Sequence, residues 1–337
     1  MTIKDIAKLS GVGVSTVSRV LNDRPDVSEE SRRKVLSVIA EHNYLPNNSA
    51  RSLVRTKSDA IGLVVRGVQN PFYTGIIRAI ERRLDEAGCT MVMRQIGSSD
   101  DEIKCGAVME REKRLQGIIF LGGRSDYTAA EVALLNVPFV CCSYTNSYGT
   151  LRPGDYSSVS IADEQEAYRA VTELCRHGHT RIAVLAADPD DSSISQLRCA
   201  GYARALRERG LPAEAADVIR ARDFDIESAY LAMRERLTRP ADFTAVFAIA
   251  DDMAIGAMRA LRESGRAVPE DCSVIAIDGL TVSEYIHPML TTLCQPTEEM
   301  GTRSVDILLR VIRGGPQEHL TLPTTLRAGQ SVRRVEG

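Results

Sequence analysis

Apolar runs and amphipathic stretches alternate along most of the chain. Apolar runs at 61–65, 90–94, 117–121 and 139–143 read as strands, and stretches at 72–87, 100–114 and 128–135 repeat their apolar residues at helical spacing. The rhythm restarts with a strand at 158–161. It continues through helix 164–177, strand 181–186, helix 196–209, strand 218–220, helix 226–237, strand 245–248, helix 251–263 and strand 273–277. Alternation of this kind predicts an α/β fold with two lobes, each a doubly wound parallel sheet. A last segment, with a strand at 291–294, a helix at 300–313 and a strand at 320–323, is expected to cross back between the lobes. One lobe then comprises 59–160 with 292–321, and the other 161–291 with 322–337. Ligands in open α/β sheets lie beyond the carboxyl ends of the strands, so the cleft between the lobes is the expected pocket.

The first residues follow another pattern. Thr2-Ile3-Lys4-Asp5 is a capping-box sequence, with Thr2 placed to cap exposed N–H groups and Asp5 in the first turn of a helix. Ile6, Ala7 and Leu9 give that helix an apolar side, and Ser10-Gly11-Val12-Gly13 supplies a tight turn before a second helix over 14–22. At about 100° per residue, Val17, Val20 and Leu21 cluster on one side of the second helix, and Val14, Ser15, Ser18 and Arg19 on the other. A third helix is expected from Ser28 through Val35, Val38 and Ile39 towards His42. Residues 1–46 thus outline a three-helix, helix-turn-helix head. A small, polar outer face with one Arg suits the major groove of double-stranded DNA. Taken alone, it suits the outside of any amphipathic surface helix equally well.

Charge divides the chain at the same place. Residues 1–58 hold ten Lys/Arg and six Asp/Glu, whereas the rest holds 32 basic and 39 acidic residues, so a net charge of −3 conceals a basic head on an acidic body. A basic head points to a polyanionic partner for that part alone. Residues 47–58, between head and first strand, are polar, basic and too short to fold alone. With a costly helix nucleus, they become helical only when something holds them.

Several words in the head then become recognisable together. Ile3-Lys4-Asp5-Ile6-Ala7, Gly11-Val12, Ser15-Thr16-Val17-Ser18-Arg19-Val20-Leu21-Asn22, Val27-Ser28 and Tyr44-Leu45-Pro46-Asn47, in this order, closely resemble the head of the LacI family of transcriptional regulators. The resemblance implies that Val14, Ser15 and Arg19 read bases, with Thr16, Ser18 and Asn22 beside them on the same helix. Arg19 is the principal base contact on this reading. Ala50-Arg51-Ser52-Leu53 matches the family's hinge helix, which implies minor-groove contact by Ala50 and Arg51 and an apolar wedge from Leu53. Gly13 departs from the family, which usually has Ser or Thr there. A Gly cap costs a few tenths of a kcal/mol, so the helix is expected to survive without the hydroxyl that could bond the helix or a phosphate there.

The body resembles the periplasmic-binding-protein-like core of the same family over its whole length. Asn70-Pro71-Phe72-Tyr73, Ala250-Asp251-Asp252-Met253-Ala254-Ile255-Gly256 and Thr291-Thr292-Leu293-Cys294-Gln295-Pro296 fall where that core has its motifs. By this resemblance Phe72, Tyr73, Arg198, Phe224, Asp251, Asp278 and Gln295 line or border an effector cleft. Two aromatics with Arg and Asp suit a polyhydroxylated ligand, such as a sugar or related metabolite. Asp251 is read equally as the cap of the following helix, and Phe224 also has a reading as core. Ala162-Asp163 stands where the family often shows Asp-Asn, so no member's ligand is carried over. The family pattern further implies a homodimer that sets two heads on a pseudo-palindromic operator. The C-terminal residues carry no heptad seam, so a dimer is expected and not a tetramer.

Other classes fare worse. HExxH, P-loop, GxGxxG-after-strand and nucleophile-elbow motifs are missing, so no enzyme and no cofactor is expected. His177-Gly178-His179 reads as a helix end ahead of a strand, and no metal site is expected. Eight scattered cysteines without CxxC spacing read as reduced core thiols. The start lacks the apolar run of an export signal, and no stretch approaches the ~18 apolar residues of a membrane span. A cytoplasmic location follows, with no membrane partner. An exported sugar-binding protein would share the body but have no use for residues 1–58.

Overall fold

The computed structural model describes residues 2–21, 24–42, 59–67, 70–187, 194–212 and 217–335. They fall into two units, Met1–Ser58 and Asp59–Gly337.

The smaller unit contains α1 (Ile3–Ser10), α2 (Val14–Leu21) and α3 (Glu29–Glu41). Thr2 caps α1 reciprocally: its N–H donates to the Asp5 carboxylate at 2.7 Å, and its Oγ1 accepts the Asp5 N–H at 3.4 Å. The Thr2 N–H, joined by the Thr2 hydroxyl that donates to the same carboxylate at 2.9 Å, holds the Asp5 carboxyl below its usual range. Gly11 ends the helix at φ 68°, a left-handed conformation that glycine adopts without strain. Ile6, Ala7, Val17, Val20 and Val35 form the buried core, with Val27, Val38 and Ile39 packed against it. Leu9, expected inside, is 53% exposed. Ser10 takes the inner place because it lies four residues from Ile6 and three from Ala7, and its hydroxyl is satisfied by the Ile6 carbonyl at 2.6 Å.

The larger unit contains two lobes. The first begins with β1 (Ala60–Arg66), α4 (Phe72–Glu86), β2 (Thr90–Ile96), α5 (Glu102–Lys113), β3 (Gly117–Leu121), α6 (Ala129–Val132), β4 (Phe139–Cys142) and β5 (Ser157–Ile161). The second continues with α7 (Asp163–Arg176), β6 (Ile182–Ala187), α8 (Ile194–Glu208), β7 (Val218–Ala221), α9 (Ile226–Arg236), β8 (Ala245–Ala248), α10 (Asp251–Glu263), β9 (Ser273–Asp278), α11 (Val282–Tyr285) and β10 (Thr291–Cys294). The chain then returns through α12 (Thr297–Ile312), β11 (His319–Leu322) and β12 (Thr325–Arg327).

Each lobe has a six-stranded sheet, ordered β11-β5-β4-β3-β1-β2 in the first and β12-β10-β9-β8-β6-β7 in the second. Pairing is parallel except where β12 runs antiparallel to β10. In the first lobe Leu63 and Ile119 face α4 and α12, while Val64 and Phe120 pack on the other side with Ile103 and Met109. Both faces are covered, as a parallel sheet requires.

One boundary differs from the sequence reading. The strand at 291–294 pairs with β9, Cys294 opposite Asp278, and so belongs to the second lobe. The return therefore comes after it, at Gln295-Pro296. Among the described residues the chain passes between lobes at three points: Ala162, Gln295-Pro296 and Pro323-Thr324. All eight cysteines are free; Cys141, Cys142 and Cys272 are buried, and the other five are half-buried, so the expectation of core thiols holds for three.

Candidate DNA interface and effector site

On α2 the packing splits the helix lengthwise. Val17 and Val20 are buried, Val14, Ser15 and Arg19 are exposed, and Thr16 and Ser18 lie half-buried between them. The Gly13 carbonyl accepts the N–H groups of Thr16 and Val17 at 2.9 and 3.1 Å, so α2 starts without a side-chain cap at this position. A Cβ placed on Gly13 would meet Ser15 and Thr16 hydroxyls at 3.5 and 3.8 Å, ordinary contacts. The Arg19 Nε lies 3.6 Å from the Asp26 carboxylate. Asn22, Ala50, Arg51 and Leu53 lie outside the described residues.

In the larger unit a cavity of about 340 Å³ opens between the lobes. The first lobe lines it with residues at or just past its strand ends: Arg66 and Gly67, Gly97 and Ser98, Gly122 and Gly123, Ser143 and Tyr144, with Asn70 just before α4 and Tyr73 in its first turn. The second lobe contributes Ile194 and the loop Asp223, Phe224 and Asp225. Close packing fixes the wall: a Cβ on Gly122, whose φ is 70°, would stand 2.3 Å from the Tyr73 hydroxyl. Glu102, 1% exposed, lies 3.8 Å from the Arg66 Nε and forms an ion pair with it at the cavity wall. The same carboxylate accepts the Arg124 N–H at 2.8 Å and the Tyr127 hydroxyl.

Beside the cavity lies a buried polar network. Arg198, 2% exposed, donates through Nε to Asp163 at 2.8 Å and through Nη1 to the Ile249 carbonyl and, at 3.5 Å, to Asp278. Asp278 also accepts the Gln295 amide at 2.8 Å. Burial pushes the Asp278 carboxyl up to about 7, the Arg198 charge opposing it and the Asp251 charge adding to it. The Asp278 backbone is held at φ 138°, a region costly for a residue with a side chain. Asp163 begins α7 next to the first crossing and Gln295 forms the second, so this network ties two crossings together. The third is tied nearby, where the Thr324 hydroxyl donates to Glu166 and Arg169 reaches the same carboxylate at 2.5 Å.

Of the residues expected around the cleft, Tyr73 and Phe224 face the cavity. Arg198, Asp278 and Gln295 gather one layer deeper, and Tyr73 marks their nearness: burial and the Asp278 charge raise its hydroxyl pKa. Phe224 packs against the second-lobe core as well, so its two readings coincide. Phe72 is a correction. At 4% exposure its ring belongs to the first-lobe core, because the position opening α4 points at the sheet and the next one at the cleft. Asp251 is corrected as a helix cap: its carboxylate accepts the Leu280 N–H and the Ser283 hydroxyl, each at 2.8 Å, and the Thr292 hydroxyl, pinning β10 and α11 to α10. Arg66, Ser98, Ser143 and Tyr144 were missed. The signal for them was positional: Arg66 and Tyr144 immediately follow the predicted strands 61–65 and 139–143, Ser143 ends the latter, and Ser98 lies four residues beyond the strand at 90–94.

Known proteins resemble this chain over nearly all of it. The family model for bacterial regulatory proteins of the lacI family matches residues 2–47, and that for the periplasmic binding protein-like domain matches 171–332. The HTH-type transcriptional regulator MalR of Clostridium butyricum is 38% identical over 97% of both chains. The chain belongs to the LacI family. Among solved LacI-family structures, a lac repressor dimer bound to operator and the anti-inducer ONPF superposes with a TM-score of 0.82 at 28% identity, covering 99% of each chain. A complex of the regulator CelR with cellobiose gives 0.72 at 32% identity, covering 98% of this chain and 99% of the other. As a LacI-family member the chain is a transcription regulator with a helix-turn-helix head and a two-lobed core. Among the described residues no helix is long and apolar enough to cross a membrane.

Proposed function

We propose that the protein is a cytoplasmic repressor, with no enzymatic activity, that binds a pseudo-palindromic operator as a homodimer and releases or tightens its hold when a polyhydroxylated small molecule enters the interlobe cavity. Val14, Ser15 and Arg19 on α2 read bases in the major groove, flanked by Thr16, Ser18 and Asn22, while Ala50, Arg51 and Leu53 engage the minor groove. In the cavity, Tyr73 and Phe224 offer ring faces from opposite lobes, and Arg66 and Ser98 offer polar groups to ligand hydroxyls.

The observation that carries this reading is the link between cavity and crossings. A ligand hydroxyl that reached the Arg198–Asp278 contact, 3.5 Å long in this structure, would compete for groups that also fix Asp163 and Gln295 at two crossings. Ligand binding then changes the angle between lobes, and with it the separation of two linkers in a dimer. Effector and operator are coupled reciprocally, typically by ~1–3 kcal/mol.

Selection from a random duplex pool with the purified chain tests the DNA half. Enrichment of an inverted repeat is expected, and its affinity should change on titration with a panel that includes cellobiose and ribose. A chain that prefers no duplex over scrambled sequence, with or without the panel, overturns the proposal.

A further inference from the structure

We infer that Asp26 is a specificity residue of the head: its carboxylate sets the direction in which Arg19 presents its guanidinium to a base pair. The inference rests on α2 being the DNA-reading helix. The carboxylate lies 3.6 Å from the Arg19 Nε, with both side chains more than half exposed, at 58% and 59%. An ion pair so exposed contributes little to stability. The head is held instead by Val17, Val20 and their neighbours.

What the pair does supply is direction. The stretch carrying Asp26 is fixed on both sides: the Arg24 N–H donates to the Arg19 carbonyl at 3.0 Å, and the Arg32 guanidinium to the Arg24 carbonyl at 2.6 Å. On the other side Val27 packs on the head core, and Ser28 caps α3 by accepting the Ser31 N–H at 3.3 Å. A carboxylate anchored in this way restrains a long, flexible side chain. With the carboxylate beside Nε, the two terminal nitrogens are left as a pair for O6 and N7 of guanine.

Asp26 also places a negative charge on the surface that α2 offers. That charge repels phosphates whatever the sequence, so it weakens every duplex alike. Its two effects on binding therefore have opposite signs. A carboxylate that merely supported the fold would, on removal, weaken all DNA binding. One that merely repelled phosphate would, on removal, strengthen operator and scrambled duplex equally.

The test uses the full chain and Asp26→Asn, each taken through selection on the same random duplex pool. Affinities are then measured on the wild-type consensus, its single-base variants and a scrambled duplex. Arg19→Lys identifies the base pair that Arg19 reads. At that pair, wild-type discrimination of roughly tenfold or more should fall to roughly two- to threefold in Asp26→Asn. Affinity for scrambled duplex should rise roughly two- to fivefold. Asp26→Glu, which keeps the charge and moves it by a methylene, should hold scrambled-duplex affinity at wild type while losing part of the discrimination. Undiminished discrimination in Asp26→Asn overturns the inference, whether affinities rise together or stay the same. Failure of the wild type to enrich any sequence is a distinct result, seen before any variant, and overturns the DNA-reading assignment with it.

Discussion

Asp252 shows how one residue's surroundings become a property of the protein. It is 7% exposed at the first turn of α10, beside the charges of Asp251 and Asp225, and burial together with those charges pushes its carboxyl up to about 6. A carboxyl whose pKa is higher folded than unfolded contributes stability that is full at low pH and lost as pH rises through about 6. Asp252→Asn should therefore stabilise the body by about 1–2 kcal/mol at pH 7.5 and bring no gain at pH 4. Denaturant unfolding at the two pH values reads this directly, and equal effects at both would remove the burial argument. Such environments are invisible in sequence. Tyr73 was placed at the cleft by resemblance to the family's Asn-Pro-Phe-Tyr motif, and the same resemblance misplaced Phe72 one position earlier. The difference is a rotation of about 100° per residue, which spacing alone does not fix. Arg198 was placed at the cleft by the same resemblance, but its partner Asp163 lies 35 residues away and could not be named from local pattern.

At the scale of elements, three helix pairs meet through a glycine. Gly201 of α8 faces the Glu164 carbonyl of α7, Gly256 of α10 faces the Ile226 carbonyl of α9, and Gly301 of α12 faces the Ile76 carbonyl of α4. A Cβ at these positions would lie 2.1, 2.3 and 2.7 Å from those oxygens. Glycine inside a helix costs roughly 0.5–1 kcal/mol relative to Ala, which close backbone approach offsets. Gly256→Ala gains that propensity but must push α9 and α10 apart, so a net loss of about 1–3 kcal/mol is expected in thermal or denaturant unfolding. Unchanged or higher stability would show that the crossing has slack. Helices and central strands were legible because their apolar periodicity is strong. The short β12, Thr325–Arg327, was not, since a single Leu between polar residues makes no run. The lobe of β10 was misassigned for a different reason: its partnership with β9 is a tertiary choice, made by sheet order and not by its own residues.

Over the whole molecule, the proposed function puts its two binding tasks in different units. The basic surplus sits in residues 1–58, while the cavity is enclosed by residues of Asp59–Gly337 and lined by one Arg and two Asp. Binding through phosphates releases condensed counterions, so operator affinity should fall steeply as salt rises, by about 10³-fold or more between 50 and 200 mM if some six phosphates are neutralised. A polyhydroxylated ligand held by ring faces and hydrogen bonds releases no such ions, so its affinity for the free protein should change little over the same range. The two salt responses, measured on one preparation by operator titration and by calorimetry with whichever sugar shifts operator binding, separate the tasks. Because coupling is reciprocal, operator-bound protein should take up that sugar with an affinity altered by the same factor at every salt concentration. A sugar affinity that follows the operator's salt slope in the absence of DNA would place charge at the centre of effector recognition, with Arg66 as the group to change first.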